Sequence, residues 1–319
     1  MSTTYVLVEQ QRGRLDPVTA ELITAARPLG DSVTAVVVGS EGSHQPLAPE
    51  LAAAGADHII AAESGGYDSR LLLPEVDALH VLAHGNPGAI VIAATAEGNE
   101  IAGRLAVRLA SGVLADCVAI NADGTATQSI FGDSITVRAA VGGSCPVYTV
   151  RAGKVTPEPV PAAGTIQMMG LPAPSVKDVT VTSFSPVETA QRPPLTQAKT
   201  VVAGGRGIGS TEGFTDLVEP LADALGGAAG ATRDAVDLDY YGPTLQIGQT
   251  GVSVAPDLYI GLGVSGAIQH TSGMQTSKHV IVINNDEDAP IFQIADLGVV
   301  GDLFEIAPKL IEEIHKRRS

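Results

Sequence analysis

"DLYIGLGVSGAIQH", residues 257–270, decides the reading of the fold. A short apolar run that ends in small residues is the pattern of a strand buried on both faces of a parallel sheet. At Gly263-Val264-Ser265-Gly266 the strand reaches the edge of its sheet, and the residues that follow can open a helix. Glycine there lets another group come close to the backbone, and the unpaired N–H groups of a helix start favour an anion. The stretch reads as a phosphate socket, with His270 within reach of whatever the phosphate is attached to.

The same grammar extends to both sides. In the first half, "YVLVEQ" (5–10), "VTAVVVG" (33–39), "HIIAAE" (58–63) and "AIVIAAT" (89–95) are strand-like. They alternate with helical segments from about Pro17, at 46–55, at 72–85 and at 99–112, which predicts βαβ units and a mostly parallel sheet. From Asp116 to about Val181 the segments "DCVAINA", "SITVRAAV" and "VYTVRAG" read as shorter antiparallel strands that extend this sheet. "SPVETAQRPPLTQAK" (185–199) has three prolines and no apolar period, so it is the linker candidate. A second series follows: strands at 200–205, 258–263 and 279–285, a helix at 212–227, and a closing helix at 303–317 that begins after Asp302 and contains Pro308. The expected fold class is α/β with two domains, residues 1–190 and 191–319. Each is an open, mostly parallel sheet flanked by helices, and the first carries the antiparallel extension.

Composition supports two globular units. The chain has 319 residues, 45% hydrophobic and 17% charged, with alanine, glycine and valine in place of aromatics, which make up only 3%. Nineteen basic residues against thirty-five acidic ones give a formal charge of −16, which repels nucleic acid and anionic lipid surfaces. Cys117 and Cys145 lack any CxxC spacing and read as buried free thiols. No apolar run approaches the roughly 20 residues needed to cross a membrane. The expectation is a cytoplasmic chain with neither membrane insertion nor a nucleic-acid partner.

The second half places glycine-rich or polar loops after its strands: "GGRGIG" (204–209), "GATR" (230–233), "QIGQTG" (246–251), "GVSGAIQH" (263–270) and "INND" (283–286). Loops beyond the carboxyl ends of parallel strands converge on one crevice, where a nucleotide usually lies. "GLGVSG" (261–266) also matches G-x-G-x-x-G, with Asp286 twenty residues after Gly266. A nicotinamide-dependent dehydrogenase using Gly261, Gly263, Gly266 and Asp286 is therefore one rival reading, although the first glycine falls inside the predicted strand. A non-catalytic interaction subunit with a structural nucleotide is another.

In order along residues 200–310, "VVAGGRGIGS", "GATRDAVD", "QIGQTGVSVAPDLYIGLGVSGAIQHTSGM" and "VINNDEDAPIFQIADLGVVGDLFEIAPKL" resemble the alpha subunit of the electron-transfer flavoproteins. The first half is similar more loosely, chiefly in "AATAEGNEIAGRLAVRLASGVLADC". The resemblance implies a heterodimer with a beta subunit and one FAD held mainly by the second domain. It also implies electrons accepted from dehydrogenases, such as acyl-CoA dehydrogenases, and passed to a membrane quinone oxidoreductase or another acceptor.

Carried over by position, Arg206 approaches the phosphates and Arg233 sits over the flavin ring. Thr232 precedes that arginine where the family often has serine, which keeps a hydroxyl. Gln246, Ile247, Gly248, Gln249 and Thr250 line the flavin, with the Thr250 hydroxyl toward N5. Ser265, Gly266, Ala267, Ile268 and Gln269 serve the cofactor, and His270 faces the C2 carbonyl. Asn284, Asp302 and Leu303 match positions at the adenosine and phosphate end, while Asn285 replaces a lysine the family often has. A one-electron carrier must stabilise charge near N1 and C2=O, and Arg233 and His270 are the residue types that supply positive charge or donors there. No acid, base or nucleophile is required. The same residues also have ordinary structural readings: arginines paired with nearby acids, His270 bonded to backbone, and Asp302 as a helix N-cap.

Overall fold

The computed structural model describes residues 2–11, 13–131, 135–176, 178–183 and 192–318. The chain divides into two compact units, Met1–Ser185 and Pro186–Ser319. The expected boundary at 190/191 and the first part of the proposed linker lie outside the described residues.

In the first unit the strands are β1 (Thr3–Leu7), β2 (Ser32–Gly39), β3 (His58–Glu63), β4 (Ala89–Ala93), β5 (Val113–Ile120), β6 (Ala126–Ile130), β7 (Ile135–Ala139), β8 (Val147–Val150) and β9 (Thr165–Gly170). They form one sheet in the order β9-β3-β2-β1-β4-β8-β5-β6-β7. Every pairing is parallel except β5 with β6 and β6 with β7. Every residue of β1 and β4 is buried, as parallel strands covered on both faces require.

Helices α1 (Val18–Ala26) and α2 (Ala48–Ala54) pack their Leu22, Ile23 and Leu51 against one face. Helices α3 (Leu73–Gly85) and α4 (Ala96–Arg108) pack Val76, Leu79, Ile101 and Leu105 against the other. Both cysteines are buried and free, and burial pushes the Cys117 thiol up to about 12, which keeps it protonated and inert.

The α/β class and the antiparallel extension hold, with one correction. "VYTVRAG" is not antiparallel: its strand β8 runs parallel between β4 and β5, in the middle of the sheet. All four of its residues are buried. The chain makes the β6–β7 hairpin at the sheet edge and then returns inward, a long-range step that local pattern does not reveal.

In the second unit the strands are β10 (Thr200–Gly204), β11 (Ala228–Ala231), β12 (Leu258–Leu262), β13 (His279–Asn284) and β14 (Leu297–Val300). All pairings are parallel, in the order β11-β10-β12-β13-β14. After β10 the chain turns through Thr211–Gly213 and a π turn, Phe214–Val218, into α5 (Glu219–Leu225). Phe214, Leu217 and Leu221 cover one face together with Leu303 and Ala307 of the closing helix. The opposite face is covered mainly by loops, whose Leu195, Ile247, Val254 and Met274 pack on Val201, Tyr259 and Val282.

The first strand, β10, sits between β11 and β12, so the connections leaving its two sides diverge at their carboxyl ends and open a crevice. The backbones meet there without side chains. Gly205 N donates to the Leu262 carbonyl at 2.9 Å and Gly207 N to the Gly263 carbonyl at 3.2 Å. A Cβ on Gly205 would stand 2.2 Å from the Gly263 oxygen, a contact no real Cβ makes. We expect Gly205→Ala to destabilise the second unit by about 2 kcal/mol through forced separation of these segments; urea denaturation of the full chain measures it.

Candidate functional site

A cleft of about 530 Å³ opens at this switch point. Short helices α6 (Arg233–Asp237) and α7 (Ile268–Thr271) bring "GATR" and "SGAIQH" to it, opposite Arg206 and Gly207 from the loop after β10. Asn284, Asn285 and Asp286 close it from the end of β13. Of the residues expected from the sequence, Arg206, Thr232, Arg233, Ser265, Ala267, Gln269, His270 and Asn284 line the cleft.

The rim is polar and exposed; the floor is buried. Thr232 is 8% exposed, and its hydroxyl has no hydrogen-bond partner. It occupies the N-cap position of α6 without capping it. A buried hydroxyl normally finds a partner. The backbone N–H groups of residues 265–269 likewise donate to no acceptor among the described residues. Unpaired amides of this kind are donors available to an anion, and residues 265, 267 and 269 of the run line the cleft. The helix that follows is a single turn, so the amides matter more than any helix dipole.

Arg233 bonds Asp237 at 3.3 Å, with both side chains more than half exposed, so this pair holds the guanidinium only weakly. Arg206 has no acidic partner among the described residues.

His270 differs from the sequence expectation of a charge or a free donor. It is 5% exposed, its Nδ1 lies 3.0 Å from the Ile247 carbonyl oxygen, and its Nε2 lies 2.6 Å from the Tyr259 hydroxyl. Burial, the dominant effect, lowers its pKa to about 4, with the Ile247 bond and the nearby Asp234 charge opposing that shift. His270 therefore enters the cleft as a neutral imidazole with both nitrogens engaged by protein.

The "QIGQTG" loop lies behind this histidine and does not line the cleft itself. Gln249 N donates to the Gln269 carbonyl at 2.7 Å, and Gln246 Nε2 donates to the Thr250 hydroxyl at 3.0 Å. Gly248, at φ +142°, has no room for a Cβ, which would stand 2.5 Å from the Gln269 oxygen. Gly266, at φ +89°, packs against Ile291, and Ile268 faces outward at 59% exposure.

Asp302 caps the closing helix α8 (Leu303–Arg318), accepting from Phe304 N at 2.8 Å. Leu303 is buried beneath Gly263 and supports the turn from below. Asn284 is anchored at both ends, its Nδ2 donating to the Val264 carbonyl at 2.8 Å and its Oδ1 accepting from Asp286 N at 3.0 Å.

Of the lining residues, only Asp234 lies outside the loops singled out from the sequence; Gly207, Gly263, Val264, Asn285 and Asp286 lie within those loops and were not among the positions carried over as flavin contacts. Gly261 lies buried within β12, away from any turn, so the G-x-G-x-x-G match does not have the geometry of a dinucleotide fingerprint.

Fold and cleft together are those of an open parallel α/β sheet with a polar crevice at its switch point, following a first α/β unit in the chain, and comparison with known proteins agrees. The model of the electron transfer flavoprotein FAD-binding domain matches residues 194–275, and that of the electron transfer flavoprotein domain matches residues 4–176. The chain is 50% identical to the electron transfer flavoprotein subunit alpha of Mycobacterium leprae strain TN over all of both chains. It is 52% identical to that of Mycobacterium tuberculosis strain H37Rv, again over all of both chains. With the subunit alpha of Bacillus subtilis strain 168 it shares 39% identity, over 97% of this chain and 96% of that protein. The chain belongs to the electron transfer flavoprotein alpha subunit family.

Because the folded state holds His270 neutral while the unfolded chain titrates near the ordinary value of 6.5, its contribution to stability is complete above that pH. It is lost as pH falls toward 4. In a ¹⁵N-histidine NMR titration we expect the His270 ring to stay neutral through pH 5 and to protonate near 4. A midpoint of 6 or above would contradict this burial effect.

Proposed function

We propose that this chain is the FAD-binding alpha subunit of a heterodimeric electron carrier. The observation that carries the reading is the switch-point cleft, where a partnerless buried hydroxyl, a run of unpaired amides and two arginines converge. FAD, when bound, supplies one-electron chemistry that no side chain here provides.

The residues present suit that group. Amides 265–269 and the Arg206 guanidinium are donors for a pyrophosphate. The Thr232 hydroxyl supplies a donor or acceptor at the floor, and Arg233 brings a positive charge to the rim. Asp286, at the end of β13, is the kind of carboxylate that accepts from ribose hydroxyls. The "QIGQTG" loop fixes the back of the cleft through Ile247 and Gln249. These groups bind and orient; none needs to exchange a proton.

The partner in this reading is a beta subunit, with the first unit forming much of the interface. Dehydrogenases serve as donors and a quinone oxidoreductase as one acceptor. Among the described residues no helix is long and apolar enough to cross a membrane, so the acceptor is reached by docking. The cytoplasmic placement expected from the sequence belongs to the same reading.

The primary test is the visible spectrum of the chain purified with its beta subunit, with chromatography of the acid-released ligand and stepwise dithionite reduction. Released FAD and a reversible change in two one-electron stages support the carrier; a complex that stays colourless after FAD is added overturns it. Thr232→Val removes the orphan hydroxyl at constant shape, and we expect the FAD dissociation constant to rise about tenfold, as for loss of one buried hydrogen bond. A chain lacking residues 1–185 should fail to capture the beta subunit in a pull-down.

A further inference from the structure

Tyr259 and His270 form a buried pair whose polar atoms have few outlets. The tyrosine is 0% exposed, and its hydroxyl lies 2.6 Å from His270 Nε2. On the other side of the ring, Nδ1 lies 3.0 Å from the Ile247 carbonyl oxygen. A carbonyl oxygen only accepts, so Nδ1 carries the hydrogen. In a neutral imidazole Nε2 is then bare, and the phenol must donate to it. Burial raises the Tyr259 pKa above its usual range, so the hydroxyl keeps its proton. The ring is thus assigned from both ends.

We propose that Tyr259 is a positioning residue for the cleft: its hydroxyl donates to the bare Nε2 of the Nδ1–H tautomer that the Ile247 carbonyl selects, and the ring so oriented holds the Ile247 carbonyl and the 246–250 loop in place. Two observations support the second step. The loop's backbone ties, among them Ile247 N to the Ala231 carbonyl at 2.9 Å, Gln249 N to the Gln269 carbonyl at 2.7 Å and Val252 N to the Gln246 carbonyl at 2.7 Å, leave the Ile247 carbonyl to His270. In addition, the face of the sheet under the loop is covered without a long helix, so the loop is held by the packing of Ile247 together with such point contacts. A phenylalanine at 259 would pack as well yet leave Nε2 buried without a donor; the ring would keep its Nδ1–H tautomer and lose the contact that orients it. The consequence for cofactor binding rests on the FAD reading above; the tautomer itself does not.

The experiment uses the full chain with its beta subunit, labelled with ¹⁵N-histidine, first stripped of flavin and then loaded with FAD. Seven histidines give resolvable signals, and His270 is assigned by the pair that disappears in His270→Asn. The wild type should show one protonated-type Nδ1 and one bare-type Nε2 across about pH 6 to 8. In Tyr259→Phe the Nδ1 signal should stay protonated-type while the Nε2 signal moves further into the bare range for want of its donor, and the FAD dissociation constant should rise about tenfold. Adding Tyr259→Phe to His270→Asn should change FAD affinity no further, since the tyrosine acts through the ring.

Unchanged nitrogen signals in Tyr259→Phe, or an additive effect in the double variant, would overturn the proposal. Should Tyr259→Phe fail to fold, the wild-type spectrum alone decides, because a protonated-type Nε2 contradicts the assignment. A wild-type complex that binds no FAD would remove the flavin reading and leave the tautomer result standing.

Discussion

The parallel pairing of residues 200–204 with residues 258–262 is the constraint on which the second unit depends. It places the first strand of that unit between the second and the third, so the chain leaves the two strands in diverging directions. The gap left at their carboxyl ends is the cleft, and every lining residue arrives there because its loop follows one of four neighbouring strands. Phosphate-type donors are concentrated in one place as a result of topology, with no segment of the chain devoted to binding alone.

Packing and polarity divide the labour on the two faces of that sheet. One face is sealed by Phe214, Leu217, Leu221 and the closing helix, an ordinary apolar contact that resists opening. On the other, loops lie on the strands, held by apolar side chains such as Ile247 and Met274 and by a few buried hydrogen bonds, among them the chain from Tyr259 through His270 to Ile247. Buried polar groups of this kind specify geometry because leaving any of them unpaired is expensive. The burial that keeps His270 neutral thus also makes it an effective brace.

Much of this was legible in the sequence, for identifiable reasons. Strands such as "AIVIA" and "LYIGL" are unbroken apolar runs between turn residues, and the loops after them announce themselves by glycine. Three features were not legible. Strand β8 is parallel only because of partners 89–93 and 113–120, both distant in the chain. Strand β11, "AAGA", has no β-branched residue and becomes a strand by pairing with β10, helped by a bridge from Ala231 to Gln246. The state of His270 depends on its burial between a tyrosine eleven residues earlier and the Ile247 carbonyl, neither of which any spacing rule assigns to it. The family motifs placed the right residues around the cleft, while the division between those that line it and those that support it, such as Leu303 and Ile247, required coordinates.

The glycine crossing at residues 205, 207 and 263 also bears on how such a cleft can diverge. Backbone meets backbone there, so a substitution at any one of the three cannot be absorbed by repacking a neighbour's side chain. Positions on the rim are of another kind: Asn285 and Asp286 are exposed, and a change of charge at either leaves the crossing intact. Variation is therefore channelled. The glycine crossing tolerates no single substitution without backbone movement, whereas the rim can change one residue at a time.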